Sequence, residues 1–170
     1  GPFPGEVYHA PFPIPFHGIT VEDSLKALKN LFKVDIAPVD VAAIIVEPVQ
    51  GVAGAFDLSG AFLKALREET RRHGALMIVD EVQTGMGLTG KMWAFEHYGF
   101  VPDLAVFGKK TQVCGFASTK RIEEVENHVF EESSRINSTW GGNFIDMVRC
   151  TRYLEIIEEE NLVENARKVG

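Results

Sequence analysis

The sequence has little cysteine and no long hydrophobic run. Its only two cysteines, Cys114 and Cys150, stand too far apart for a CxxC pair, which excludes a disulfide framework and a dithiol redox motif. No apolar run approaches the roughly 18 residues that a membrane span needs. No signal-peptide pattern precedes the first predicted element. We therefore expect a cytoplasmic protein that does not bind membranes.

Basic residues are scarce as well. The 170 residues carry 17 Lys and Arg against 24 Asp and Glu, a net charge of −7, and the basic residues form no run. Because Lys and Arg contacts to phosphate dominate nucleic-acid affinity, we expect no nucleic-acid partner. The shares of apolar residues, 45%, and of charged residues, 24%, are those of a globular domain with a sizeable core.

The order of apolar patterns predicts an α/β fold. Short apolar runs typical of parallel strands buried on both faces occur at 41–46, 75–79 and 104–107. Helical patterns cover 20–32, 59–73, 92–98, 121–127 and 144–160. Alternation of strands and helices predicts a mostly parallel sheet with flanking helices and right-handed connections. A further strand at 114–118 is compatible with antiparallel pairing.

The first 19 residues differ from the rest. They hold five of the eight prolines, some at alternate positions, which blocks both helices and central strands. We expect 1–19 to be an extended segment on the surface of a domain formed by 20–170.

A polar residue stands at or just after the end of each of the three predicted strands. Glu47, Asp80 and Lys109 each stand where an apolar run meets a loop. Ligands bind at the carboxyl ends of parallel strands, so these ends are candidates for a site. Each residue also has an ordinary alternative: a turn before proline for Glu47, a cap or loop anchor for Asp80, and a snorkelling side chain for Lys109.

Asp80 and Lys109 together make a more specific pair. A lysine behind four apolar residues is a candidate for a depressed pKa, and a neutral amine forms Schiff bases. Pyridoxal phosphate needs such an amine for its aldehyde, and a carboxylate that keeps its ring nitrogen protonated. The hydroxyls and glycines of 137–143, before the long helix, suit a phosphate, although plain capping of that helix explains them too.

Several separated motifs resemble the class III pyridoxal-phosphate aminotransferases. They are Val-Glu-Pro-Val-Gln-Gly at 46–51, Val-Asp-Glu-Val-Gln-Thr-Gly at 79–85, and the segment 102–109. Within that family, 107–115 and 134–143 are most similar to the lysine 6-aminotransferases. The resemblance covers nearly the whole chain and implies part of the large domain of a fold-type I enzyme.

The resemblance also implies roles for five residues. Lys109 would form the Schiff base with pyridoxal 5′-phosphate and move the proton, while Asp80 would pair with the ring nitrogen. Val82 would pack on the ring face and Gln83 would lie near the 3-hydroxyl. Thr139 would contact the phosphate of the cofactor held by the other subunit of a homodimer.

The resemblance implies transfer of an amino group, from the terminal amine of lysine or another ω-amino acid to 2-oxoglutarate. Val52 stands where such enzymes usually have a glutamate, which leaves the amino donor open. The family's phosphate-binding loop and C-terminal small domain are expected to lie outside these 170 residues. A non-catalytic fragment and a related class III enzyme, such as a racemase or aminomutase, remain alternatives.

Overall fold

The computed structural model describes residues 7–35, 41–51, 54–136, 139 and 141–170. The strands are, in chain order, β1 (Ala43–Val46), β2 (Val49–Gln50), β3 (Phe56–Asp57), β4 (Leu76–Asp80), β5 (Leu104–Phe107) and β6 (Gly115–Ser118). The α-helices are α1 (Val21–Asn30), α2 (Gly60–Arg72), α3 (Phe144–Glu159) and α4 (Leu162–Val169). Single 3₁₀ turns cover Pro15–His17, Ala94–Tyr98, Lys109–Thr111 and Lys120–Glu124, and a π-helical turn, Leu31–Asp35, extends α1.

The central sheet has the strand order β1-β4-β5-β6. The first three strands are parallel and β6 is antiparallel to β5, which confirms the predicted mostly parallel α/β fold. In register, Val46 lies opposite Val79, and Asp80 lies opposite Val106. The carboxyl ends of β1, β4 and β5 therefore meet at one edge of the sheet, as the sequence predicts. Strands β2 and β3 form a separate antiparallel pair.

Local side-chain bonds fix where the first two helices begin. Thr20 accepts a hydrogen bond from the N–H of Asp23 (3.1 Å), and the Asp23 carboxylate accepts one from the N–H of Thr20 (3.0 Å), a reciprocal capping box. The hydroxyl of Ser59 caps α2 by accepting a single hydrogen bond from the N–H of Phe62 (3.2 Å). Gly74 follows α2 with φ +69°, the left-handed conformation typical of a glycine that ends a helix.

The hydrophobic core lies between α1, α2 and one face of the sheet. Both helices turn an apolar stripe inward, where it meets the side chains of β4. The core consists of Leu28, Phe32, Leu58, Phe62, Leu63, Leu66, Met77 and Val79. Phe12, from the proline-rich segment, packs against this cluster.

One sequence prediction fails, and two apolar surfaces stay open. Strand β1 is not buried on both faces: it ends the sheet, and Ile45 is 63% exposed. Helix α3 forms where predicted, but its apolar stripe is open, with Val148 69% exposed. The physical reason is the same in both cases, since no described element covers these surfaces. The short helices predicted at 92–98 and 121–127 are 3₁₀ turns.

A buried ion pair ties α2 to the sheet. The Arg67 guanidinium donates to both carboxylate oxygens of Asp103, and the N–H of Met77 on β4 donates to the same carboxylate (2.8 Å). Both side chains are more than nine-tenths buried. Burial by itself would raise the pKa of Asp103, but the hydrogen bonds from Arg67 and Met77 hold that pKa below its ordinary value.

In the part of the chain that the structure describes, no helix is both long enough and apolar enough to cross a bilayer.

Candidate active site

Asp80 is the last residue of β4, and its side chain is half-buried. Its Oδ1 atom accepts a hydrogen bond from the N–H of Val82 (3.0 Å), so the carboxylate also shapes the loop that follows. The N–H of Glu81 donates to the carbonyl of Val106 (2.9 Å), which carries the β4–β5 pairing past the end of the strand. The position of Asp80 relative to β5 is therefore fixed by backbone bonds on both sides of it.

Glu81 is a buried residue that sequence reasoning missed. Its side chain is 1% exposed, and its carboxylate accepts bonds from the N–H groups of Ala94 (3.1 Å) and Phe95 (2.8 Å) and from the hydroxyl of Thr84. Three donors satisfy a charge that would otherwise be costly to bury. Glu81 thus holds the loop after β4 against the 3₁₀ turn Ala94–Tyr98. The sequence signal that could have identified Glu81 is its position directly after the aspartate that ends a predicted strand.

The glycines of this loop are required by helix α4. Gly87 and Gly90 have φ +86° and +83°. A Cβ atom on Gly87 would lie 2.8 Å from Cγ2 of Val163, and one on Gly90 would lie 2.9 Å from Cα of Arg167. Backbone therefore packs directly on α4, and a side chain at either position would push the loop outward.

Lys109 begins a tight turn between β5 and β6. The turn closes with a bond from the N–H of Gln112 to the carbonyl of Lys109 (3.0 Å), and Phe107 then pairs with Gly115. Lys109 has φ +54° and is exposed. A left-handed conformation of a residue other than glycine costs about 1–2 kcal/mol and is concentrated at functional sites.

Val82 bridges the loop and the turn. A Cβ atom on Gly108 would lie 3.7 Å from Cγ2 of Val82, so this half-buried side chain borders the backbone just before Lys109. Gln83 is exposed and lies over Gly51, where a Cβ atom would be 3.0 Å from its Cγ. The ends of β1, β4 and β5 are thereby connected by side chains.

Glu47 takes the ordinary role that the sequence allowed. Its Oε2 atom accepts a hydrogen bond from the N–H of Gly51 (3.2 Å), which closes the turn after β1. Val52, where the family usually has a glutamate, lies outside the described residues.

Thr139 is exposed in a turn before α3, and nothing described ties it to the other four predicted site residues. Its neighbours 137, 138 and 140 lie outside the described residues. The side chain of Asn143 accepts a hydrogen bond from the N–H of Ile145 (3.0 Å) and so caps α3. This agrees with the capping alternative given above for 137–143. Helix α3 itself contacts the turn Lys109–Thr111. The structure therefore brings Asp80, Val82, Gln83 and Lys109 to one edge.

The side chains at this edge fit pyridoxal phosphate by their chemistry. An exposed amine at Lys109 suits an aldehyde, and the half-buried carboxylate of Asp80 on the adjacent strand suits a ring cation. The apolar side chain of Val82 borders the same turn, where a flat ring needs a surface to pack on.

Comparison with known proteins places the chain in a family. Residues 1–170 match the aminotransferase class-III family. The L-lysine-epsilon aminotransferase of Amycolatopsis lactamdurans is 52% identical over 130 residues, which cover 76% of this chain and 29% of that enzyme. The 4-aminobutyrate aminotransferase of Escherichia coli is 39% identical over 170 residues, all of this chain and 40% of that enzyme.

Solved structures agree with the sequence matches. The lysine aminotransferase of M. tuberculosis, solved in its internal aldimine form, is 43% identical with a TM-score of 0.79, covering 92% of this chain and 36% of that one. The chain thus spans well under half the length of these relatives. Its mostly parallel sheet with flanking helices is part of the fold-type I architecture. The chain belongs to the class III aminotransferase family.

Proposed function

We propose that this chain forms the core of the cofactor site of a pyridoxal-phosphate-dependent aminotransferase, with Lys109 as its catalytic residue. The observation that carries the proposal is the pairing of β4 with β5, which sets Asp80 opposite Val106 and so beside the turn of Lys109. An amine and a carboxylate at adjacent strand ends are the two groups that this chemistry needs.

Pyridoxal phosphate, when bound, supplies an aldehyde carbon and a protonated ring that accepts the electrons released at the substrate carbon. The Nζ atom of Lys109 would bond to that aldehyde at rest, and during turnover would move the proton from the carbon that bears the substrate amine. Asp80 would keep the proton on the ring nitrogen, because a nearby carboxylate favours the cationic form. The side chain of Val82 would pack against one face of the ring, and the side chain of Gln83 would hydrogen-bond near the 3-hydroxyl group of the ring.

We propose a terminal amine as the amino donor and 2-oxoglutarate as the acceptor. Several relatives carry the names of enzymes for terminal amines: lysine-epsilon, 4-aminobutyrate and 5-aminovalerate aminotransferases. Lysine or another ω-amino acid is therefore the donor class that the relatives favour.

The resemblance to the family also supports a domain organisation, a compartment and an oligomeric state for the whole protein. We propose that 20–170 are part of a larger cofactor-binding domain, with 1–19 as a strap on its surface. The protein would work in the cytoplasm as a homodimer, and Thr139 would reach the phosphate of the cofactor in the partner subunit.

Chemical trapping tests the attachment point directly. The whole protein is loaded with pyridoxal phosphate, reduced with borohydride to make the link permanent, and digested for mass spectrometry. We expect the added mass on Lys109 and not on the adjacent Lys110, because only Lys109 opens the turn beside Asp80. A Lys109→Arg variant is the control and should lose the label. A label on Lys110, or one that persists in the variant, would contradict the proposal.

Removing the charge of Asp80 should slow catalysis with little change of structure. In Asp80→Asn, the retained Oδ1 atom can still accept the bond from Val82, but the anion facing the ring nitrogen is lost. We expect kcat to fall about 10²–10³-fold, the usual effect of removing one electrostatic group from an active site. Glu47→Gln is the matched control at the neighbouring strand end and should change kcat only a few-fold. Equal effects of the two substitutions would count against the role of Asp80.

A further inference from the structure

Lys110 is the second lysine of the turn after β5, and its side chain runs back to the loop after β4. Its Nζ atom donates to the carbonyl of Gln83 at 2.7 Å and to the carbonyl of Val82 at 3.3 Å. Sequence reasoning assigned Lys110 no role. The structure shows a direct bond from the turn that carries Lys109 to the loop that carries two other proposed cofactor contacts.

The environment of Lys110 is an unusual one for a lysine. Its side chain is half-buried, and burial lowers the pKa of its ammonium group, with the charge of Lys109 lowering it further. The buried carboxylate of Glu81 acts in the opposite direction. A surface lysine would simply extend into water. The carbonyl oxygens of Val82 and Gln83 instead accept hydrogen bonds from this ammonium group. These bonds offset its partial desolvation and the repulsion from the charge of Lys109.

The loop residues that Lys110 holds are also fixed from other sides. The N–H of Val82 donates to Asp80, and the side chain of Gln83 packs over Gly51. The Val82–Gln83 segment is therefore bonded through its N–H to Asp80 and through its carbonyls to Lys110. Removing Lys110 frees two carbonyls on the one stretch of backbone that joins Asp80 to the proposed ring contacts.

We propose that Lys110 is a positioning residue, which fixes the distance between the Lys109 turn and the Asp80–Gln83 loop before cofactor binds. This inference rests on the proposed function of the site. Its physical basis is pre-organisation: a site whose parts are already spaced correctly binds its ligand without first ordering a loop. The ammonium needs no contact with the cofactor for this role.

The test compares Lys110→Met and Lys110→Arg in the whole protein. Methionine keeps the apolar stem and removes the donors, whereas arginine keeps donors for both carbonyls. In the cofactor-free protein, we expect Met to speed hydrogen exchange of the peptide over 81–85, and Arg to preserve slow exchange. Cofactor titration followed by absorbance should give a Kd about tenfold weaker for Met, the size of effect expected from losing charged hydrogen bonds, and within about threefold of the parent for Arg.

Lys91→Met is the matched control, since Lys91 is an exposed lysine of the same loop. It should change neither exchange nor Kd. Lys110→Leu is measured alongside, so that a Met variant that fails to fold still leaves a second donor-poor variant for comparison with Arg. Exchange and Kd that stay at parent values in both donor-poor variants would overturn the positioning role. Failure of the proposed function would appear separately, as a borohydride label that is not on Lys109.

Discussion

Replacing Lys109 by alanine is expected to lower the transamination rate of the whole protein by about 10⁴-fold or more. Lys109 would serve both as the covalent holder of the cofactor and as the general base at the substrate carbon. General acid–base catalysis alone contributes about 10²–10⁴-fold, and loss of the covalent link adds to that loss. The measurement is the rate with a terminal-amine donor and 2-oxoglutarate at saturating cofactor.

Two controls separate lost chemistry from lost structure in that variant. Added methylamine should restore part of the rate, because a small amine can act as the missing base where the side chain is gone. Lys110→Met should keep most of its rate at saturating cofactor, since its expected defect is in binding. A Lys109→Ala enzyme with a rate within tenfold of the parent would refute the assignment of Lys109.

Replacing Asp103 by asparagine is expected to destabilise the protein by about 3–5 kcal/mol. The substitution leaves the Arg67 guanidinium buried without a counter-charge, and breaking one side of a buried pair typically has this effect. It also weakens the bond from the N–H of Met77, which fixes β4 next to the candidate site. The measurement is the urea midpoint of the cofactor-free protein.

The matched control for Asp103 is the exposed pair of Arg152 and Glu155, whose atoms are 2.9 Å apart. Because solvent screens exposed pairs, Glu155→Gln should change stability far less than Asp103→Asn does. If both substitutions have the same small effect, the buried pair does not hold α2 to the sheet.

The contribution of Asp103 to the free energy of unfolding should also depend on pH, in a direction set by its lowered pKa. Its pKa in the folded protein is lowered, so its stabilising effect is complete above the unfolded value, near 3.9. It is lost as the pH falls through the folded pKa. The stability difference between the parent and Asp103→Asn should therefore be constant at neutral pH and shrink below about pH 4. A difference that grows on acidification would contradict the lowered pKa.

Sequence reasoning predicted the arrangement of the strand ends because that arrangement depends on local patterns. Apolar runs ending in Glu47, Asp80 and Lys109, separated by helices, imply parallel strands whose carboxyl ends meet, and the sheet order confirms this. The starts of helices α1 and α2, at Thr20 and Ser59, were equally predictable from the capping chemistry of these two residues. Each of these features is decided by residues close together in the chain.

The features that sequence reasoning missed depend on contacts between distant residues. Two of the three partners of Glu81 come from the turn that begins at Ala94, and those of Lys110 come from the loop after β4. Nothing in the residues next to Lys110 distinguishes a half-buried ammonium from a solvated one. The exposure of Ile45 has the same origin, because an apolar pattern cannot show which elements cover it.

The left-handed backbone of Lys109 has a consequence for engineering this protein. Glycine adopts φ +54° without the steric cost of a Cβ atom, so a glycine at this position would relieve strain that lysine bears. A search guided only by thermal stability would therefore favour removing the very residue assigned to catalysis, a local conflict between stability and activity. Stabilised variants are therefore better sought at other positions.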